Sequence, residues 1–135
     1  MAEPIEDLWP DDLIEEDVDA PIVLLRKQAD FLSARATGIV KAHVDTSVDE
    51  GLFAHSFMID VPSLNDYTYQ LFVAMHQFDP YPVTIHVGDD SEEASTKQEF
   101  IGKLRELFAS PKTKQLIRGL IASVETGASS GPPED

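Results

Sequence analysis

Apolar residues recur along the chain with two different periods, one typical of a helix and one typical of a strand. The helical period comes first, from residue 21 onward, where apolar side chains return every three or four positions. Pro21 suits the first position of a helix because its φ is already helical, and Gly38 supplies a C-terminal stop. The predicted helix buries one face, formed by Ile22, Leu25, Ala29, Leu32 and Ala36.

Residues 39–87 alternate apolar and polar side chains with a period of two, as in strands that bury one face. Four runs show this alternation: IVKAHVDTS, LFAHSFMIDV, YTYQLFVAMH and YPVTIHV. Short links join them, so we expect hairpins and an antiparallel meander. The alternation places His55, Phe57, Tyr67, Tyr69, Leu71 and Ile85 on the face toward the helices, and His43, Met58, Phe72, His76 and His86 on the open face.

The helical period returns after residues 88–95, GDDSEEAS, which we interpret as an acidic loop. A capping box, either Ser95 with Gln98 or Thr96 with Glu99, predicts where the second helix begins. The Ser-Pro pair at 110–111 predicts the start of a third helix. The buried stripes of these two helices consist of Phe100, Ile101, Leu104, Leu107 and Phe108, and of Leu116, Ile117, Leu120, Ile121 and Val124.

Together these elements predict an α+β fold in the order α-β-β-β-β-α-α. A four-stranded antiparallel meander would carry three helices on one face, because the apolar sides of sheet and helices must cover one another. The 135 residues divide into an acidic N-terminal arm (1–20), a single α+β domain (21–126) and a polar C-terminal tail (127–135) that we expect to be disordered. The chain has no cysteine, which excludes disulfides and thiol catalysis.

The formal net charge of −15 is concentrated at the ends of the chain. Residues 1–20 hold nine acidic side chains and no basic one, whereas residues 21–133 hold fourteen acidic and ten basic side chains, a net of −4. Non-specific nucleic-acid binding requires a positive surface, so we expect no nucleic-acid partner. The longest uninterrupted apolar run, Ile22 to Leu25, is far too short to span a membrane. We therefore expect no membrane association and a cytoplasmic location.

The four histidines suggest a metal site at first, since each predicted strand holds one of them. The alternation separates His55 from the other three, and in a sequential meander His43 and His86 lie about 14 Å apart on opposite edges. Zinc requires nitrogen ligands about 2 Å from one centre, so we predict no metal and no cofactor. The glycines do not cluster into a phosphate loop, and Ser56 points away from its neighbour His55, so no catalytic residue is predicted.

The acidic arm also carries apolar residues, including Trp9, the only tryptophan of the chain. Three interpretations remain open: the arm docks on its own domain, whose last two helices are rich in lysine and arginine; it docks on a partner as a short motif; or it only increases solubility. The acidic side chains keep the arm solvated, and a buried tryptophan supplies several kcal/mol, at about 25 cal/mol per Å².

These features favour a non-enzymatic protein-interaction module. The candidate partner-binding residues are Leu8, Trp9, Leu13 and Ile14 in the arm, with Met58 and Phe72 as the floor of a shallow groove on the open face. An unpaired sheet edge could also join two copies as a homodimer. Two alternatives stay open. One is a small-molecule-binding or enzymatic domain with a pocket between sheet and helices lined by His55, Tyr67 and Tyr69, and the other is an acidic inhibitor that mimics nucleic-acid charge.

Overall fold

The protein is represented by a computed structural model, which describes residues 6–11 and 20–125. In this part of the chain three helices and five strands follow the α+β order that the sequence predicts, with one strand more than expected. The strands form a single antiparallel sheet in the order β1-β2-β3-β4-β5. The elements are α1 (Pro21–Arg35), β1 (Lys41–Asp49), β2 (Leu52–Val61), β3 (Tyr67–His76), β4 (Val83–Val87), β5 (Asp90–Ala94), α2 (Lys97–Phe108) and α3 (Pro111–Glu125).

The additional strand, β5, corrects the prediction of an acidic loop at residues 88–95. It pairs with β4 along its whole length, and Ala94 is its one buried residue. The sequence DSEEA has no apolar alternation because β5 is an edge strand whose other side chains are exposed. Charged side chains on an edge also discourage pairing with other molecules. The period-two pattern could therefore not reveal this strand.

Two tight hairpins have turn residues with positive φ, the left-handed region of backbone conformation. Glu50 and Gly51, with φ of 53° and 81°, form the two-residue connection between β1 and β2. Positive φ at both central residues is the requirement of a type I′ turn, whose twist matches that of the strands. Gly88, with φ of 58°, begins the connection between β4 and β5. These turns fix the register of β1 with β2 and of β4 with β5, and so determine which side chains are neighbours on the open face.

The register between β2 and β3 contains a bulge that changes which side chains face the helices. Phe57 pairs with Phe72, but the next residue, Met58, pairs with Gln70, so Leu71 is the extra residue of β3. A bulge of this kind reverses the alternation beyond it. Leu71 and Phe72 are consequently both buried.

Because of this bulge, the predicted positions of Phe72 and His76 on the open face are wrong. Phe72 is only 1% exposed and stacks on Phe57, with ring centroids 5.2 Å apart. His76 lies on the same face as His55 and contacts it. The open face instead receives Val73 and Met75, whose cross-strand partners are His86 and Thr84. Elsewhere the predicted alternation is confirmed, since Phe57, Ile59, Val83 and Ile85 are all buried.

The helices cover this apolar face of the sheet and leave the other face open. α1 contributes the fully buried Leu25, and α2 contributes Phe100 and Leu104. Phe108, at the end of α2, packs on the stacked pair, with its ring 5.5 Å from Phe57 and 6.0 Å from Phe72. The two-layer arrangement therefore follows the prediction.

The N termini of α2 and α3 are capped by side chains at the predicted places. The Thr96 hydroxyl accepts a hydrogen bond from the Glu99 amide at 3.1 Å, and the Glu99 carboxylate accepts one from the Ser95 amide at 2.8 Å. The box is thus formed by Thr96 and Glu99 rather than by Ser95 and Gln98. The Ser110 hydroxyl accepts from the Thr113 amide at 3.2 Å, which begins α3.

The sheet has two edges, β1 and β5. On the β1 edge, the Ala42 amide donates to the Ser33 hydroxyl of the preceding helix at 3.1 Å. Pairing of two copies through β1 stays a prediction. Within residues 6–11 and 20–125, no helix is long and apolar enough to cross a membrane.

Candidate functional site

The described part of the arm, residues 6–11, holds two of the predicted partner-binding residues in solvent. Leu8 is 82% exposed and Trp9 is 71% exposed. The Trp9 amide donates to the Asp7 carboxylate at 3.0 Å, a local contact that shapes the turn around the tryptophan without burying its ring. Leu13 and Ile14 lie outside the described residues.

The groove expected between Met58 and Phe72 does not form. Met58 is half-buried on the open face, where it pairs across the strands with His43, whereas Phe72 lies in the core between sheet and helices. A residue buried to this extent cannot contact a partner, so the prediction of Phe72 as a partner-binding residue is wrong. The reason is the bulge at Leu71, which no feature of the alternating pattern marks.

The structure does not bring together His55, Tyr67 and Tyr69, the residues predicted to line a pocket. Tyr69 pairs with Ile59, four residues along β2 from His55, which is about 13 Å at strand spacing. Tyr67 lies farther still, opposite Val61, and is exposed.

The described residues enclose several surface cavities, and four of them have volumes of about 260, 330, 360 and 440 Å³. The 330 Å³ cavity lies between α1 and α3 over Phe57, and the 360 Å³ cavity lies between α1 and α2. The 260 Å³ cavity lies between the β4–β5 hairpin and α2. The 440 Å³ cavity is lined by residues of β3, β4 and β5 and of the loop that joins β3 to β4, including His76, Asp79, His86 and Glu93. None of these four is lined by His55, Tyr67 or Tyr69.

On the open face, His43 lies between two carboxylates. Its Nδ1 is 2.5 Å from Asp60 Oδ2 on β2, and its Nε2 is 3.2 Å from Asp45 Oδ2 on its own strand. The Thr68 hydroxyl donates to the other oxygen of Asp60 at 3.2 Å. Hydrogen bonding to Asp60 is the largest cause that raises the pKa of His43 above its ordinary value of 6.5, and Asp45 adds to it.

The raised pKa of His43 gives a pH prediction. In a histidine NMR titration we expect the His43 pKa above 6.5 and a decrease on Asp60→Asn that exceeds the decrease on Asp45→Asn, because the Asp60 contact has the larger effect. The His43 contribution to stability is complete below 6.5 and is lost as pH rises through the folded-state pKa. It should be small because His43 is exposed. Equal decreases in the two variants would contradict this assignment.

On the helix face, His55 and His76 form a second imidazole site, which the predicted alternation had separated. Their Nε2 atoms are 2.8 Å apart. His55 Nδ1 is 2.9 Å from the Thr46 hydroxyl of β1, and His76 Nδ1 is 2.5 Å from the Gln77 carbonyl oxygen. His55 is only 2% exposed. Burial is the main cause that lowers the pKa of His55 to about 4, and the charges of His76 and Arg26 lower it further.

Aromatic rings surround this histidine pair. The Phe53 ring stacks on the His76 ring at a centroid distance of 5.2 Å with an angle of 2° between the planes. Phe78, from the loop after β3, meets Phe53 edge-on at 6.2 Å and is itself 81% exposed. The stacking fixes the plane of the His76 ring, so its Nε2 is held in the direction of His55.

Comparison of the chain with protein-family models, with curated proteins and with solved structures found no match. Its function is therefore inferred from the geometry of its own residues. Two features stand out: an acidic segment with exposed apolar anchors, and a histidine pair at one end of the sheet.

Proposed function

We propose that this protein is a non-enzymatic interaction module that binds a protein partner through its acidic arm. The observation that carries the proposal is the exposure of Leu8 and Trp9 in the described part of the arm. A tryptophan on a soluble surface is a frequent anchor of protein interfaces, where it fills an apolar pocket on the partner. Its own domain leaves this ring in solvent, so the ring is available to another molecule.

The chemistry around Trp9 defines the partner. Glu6, Asp7 and Asp11 are exposed in the same short segment, and the nine acids of residues 1–20 have no basic neighbour in sequence. A complementary surface would have an apolar pocket bordered by lysine and arginine. Opposite charges at the rim of such an interface mainly increase the rate of association, whereas the buried aromatic anchor determines how slowly the complex dissociates.

The first test asks whether the arm is free in the isolated protein. Because Trp9 is the only tryptophan, its fluorescence reports on the arm alone. We expect emission at the wavelength of a water-exposed indole and efficient quenching by acrylamide in the native protein. A blue-shifted, poorly quenched native spectrum would contradict the proposal, because the ring would then be docked on its own domain.

The second test compares variants in affinity capture from the host lysate, followed by titration of each captured protein. Trp9→Ala and Leu8→Ala should each weaken binding by about tenfold or more, the typical effect of losing an interface anchor. The matched control is Phe78→Ala, which removes an equally exposed aromatic side chain from the domain. Loss of binding in the control but not in the arm variants would contradict a role for the arm.

A third variant distinguishes this proposal from mimicry of nucleic-acid charge. Replacing Glu6, Asp7 and Asp11 by their amides keeps the apolar anchors and removes three charges. For an anchored interface we expect slower association and a weaker salt dependence, with dissociation little changed. If the charge variant abolishes binding while Trp9→Ala has no effect, the partner recognises charge alone.

A further inference from the structure

The two imidazoles at the end of the sheet are arranged like the ligands of a metal ion. The Nε2 atoms of His55 and His76 face each other at 2.8 Å, while each Nδ1 is held by an oxygen of the protein, the Thr46 hydroxyl or the Gln77 carbonyl. In metal sites, a coordinating histidine generally donates its second ring N–H to such an oxygen, which fixes the ring's orientation and tautomer. The His76 contact with the Gln77 carbonyl already has this form, and the His55 contact with Thr46 takes it after a change of tautomer.

The Gln77 carbonyl oxygen can only accept a hydrogen bond, and this determines which nitrogen of each ring donates and which accepts. The Gln77 carbonyl has no proton, so His76 must carry one on Nδ1, and its Nε2 is then an acceptor when the ring is neutral. His55 donates to it from Nε2 and uses its own Nδ1 to accept from the Thr46 hydroxyl. In this arrangement each ring is neutral and every nitrogen has a partner.

A metal ion can enter this arrangement with the change of one tautomer. If the His55 proton moves from Nε2 to Nδ1, the Thr46 oxygen can accept it, because a hydroxyl both donates and accepts. Both Nε2 lone pairs are then free to coordinate, and neither ring changes its charge. Nitrogens bound to a tetrahedral ion at their usual distance are about 3.3 Å apart. The Nε2 atoms would therefore have to move apart by about half an ångström, and each ring would have to turn so that its lone pair points at the ion instead of at the other nitrogen.

We propose that His55 and His76 bind a divalent transition-metal ion of the kind that prefers imidazole, such as zinc. The described residues contain no group of three or more histidine, cysteine or acidic side chains that could hold an ion. The chain would therefore supply two ligands, with the remaining positions left to water or to a side chain of a partner. Such an open site differs from a closed structural zinc site, which has four protein ligands.

The two rings of the pair differ in how far they are buried. His76 is half-buried and borders the 440 Å³ cavity, whose other strand residues, such as Met75, Thr84 and Glu93, lie on the open face of the sheet, away from His55. His55 lies deeper and is almost fully buried. An ion would therefore reach the pair from the side of His76.

The experiment uses the full chain after removal of metals with a chelator and dialysis. Zinc is titrated by calorimetry, and cobalt(II) is titrated with its visible absorption as the readout. We expect one ion per chain, and His76→Gln should weaken binding at least tenfold. The matched control is His86→Gln, which changes a histidine that also borders the cavity but lies on the open face, and it should leave the affinity unchanged.

Two further measurements keep the proposal testable if a variant folds poorly. In the wild-type protein, long-range ¹H–¹⁵N spectra report the tautomer of each histidine, and zinc should move the His55 proton from Nε2 to Nδ1. Thr46→Val removes the oxygen that accepts this proton and should weaken binding by about 10–100-fold. Absence of saturable binding, an unchanged His55 tautomer, or equal loss in His86→Gln would overturn the proposal and leave a hydrogen-bonded neutral pair.

Discussion

Replacing Phe72 by alanine is expected to lower the free energy of unfolding by about 3–5 kcal/mol, the usual effect of removing a buried phenylalanine ring. Phe72 is buried among the aromatic rings of Phe57 and Phe108, so the neighbours cannot close the space that the ring leaves. Urea denaturation followed by far-UV circular dichroism measures the change. Fluorescence is unsuitable, since Trp9 is exposed in the folded protein.

The control for Phe72 is its neighbour Val73, which lies on the open face opposite Ser56 and His86. Val73→Ala removes fewer carbon atoms than Phe72→Ala, and from a half-buried position, so we expect a loss of about 1 kcal/mol. The comparison tests the bulge itself, because a regular β3 would place Val73 in the core and Phe72 outside. A larger loss in Val73→Ala than in Phe72→Ala would contradict the register.

The sequence predicts the two-layer architecture because most of its elements carry an apolar stripe. Alternation in β2 and β4 fixes which side of each strand is buried, and Phe57 and Ile85 lie where that rule places them. The rule fails after Leu71 because a bulge adds one residue without changing the apolar and polar pattern around it. It also fails for β5, whose exposed side chains are polar and charged.

The sequence predicts the contacts within the candidate sites less completely than the fold, because these contacts join side chains of different strands and depend on the strand register. The contact of His43 with Asp60 is diagonal across two strands, so a local pattern could not reveal it. His55 meets His76 only because the bulge turns His76 toward the helices. The arm is the exception: its composition alone suggests solvated apolar anchors, and Leu8 and Trp9 lie in solvent.

Replacing Leu25 by alanine is expected to lower the free energy of unfolding by about 2–5 kcal/mol. Leu25 is fully buried, and it belongs to a helix with little stabilisation of its own. Ala20 occupies the N-cap and offers no side-chain oxygen, and the first turn of α1 has no acidic residue to interact with the helix dipole. A helix of fifteen residues with such an N terminus depends on packing of its apolar face.

The matched control is Leu24, which has the same chemistry one position earlier but is only half-buried. Leu24→Ala should cost less than half as much as Leu25→Ala in the same urea experiment, since less apolar area leaves the core. The Leu25 variant should also lose ellipticity in the native baseline, because α1 detaches from β1 before the sheet unfolds. Equal losses in the two variants would contradict the orientation of α1.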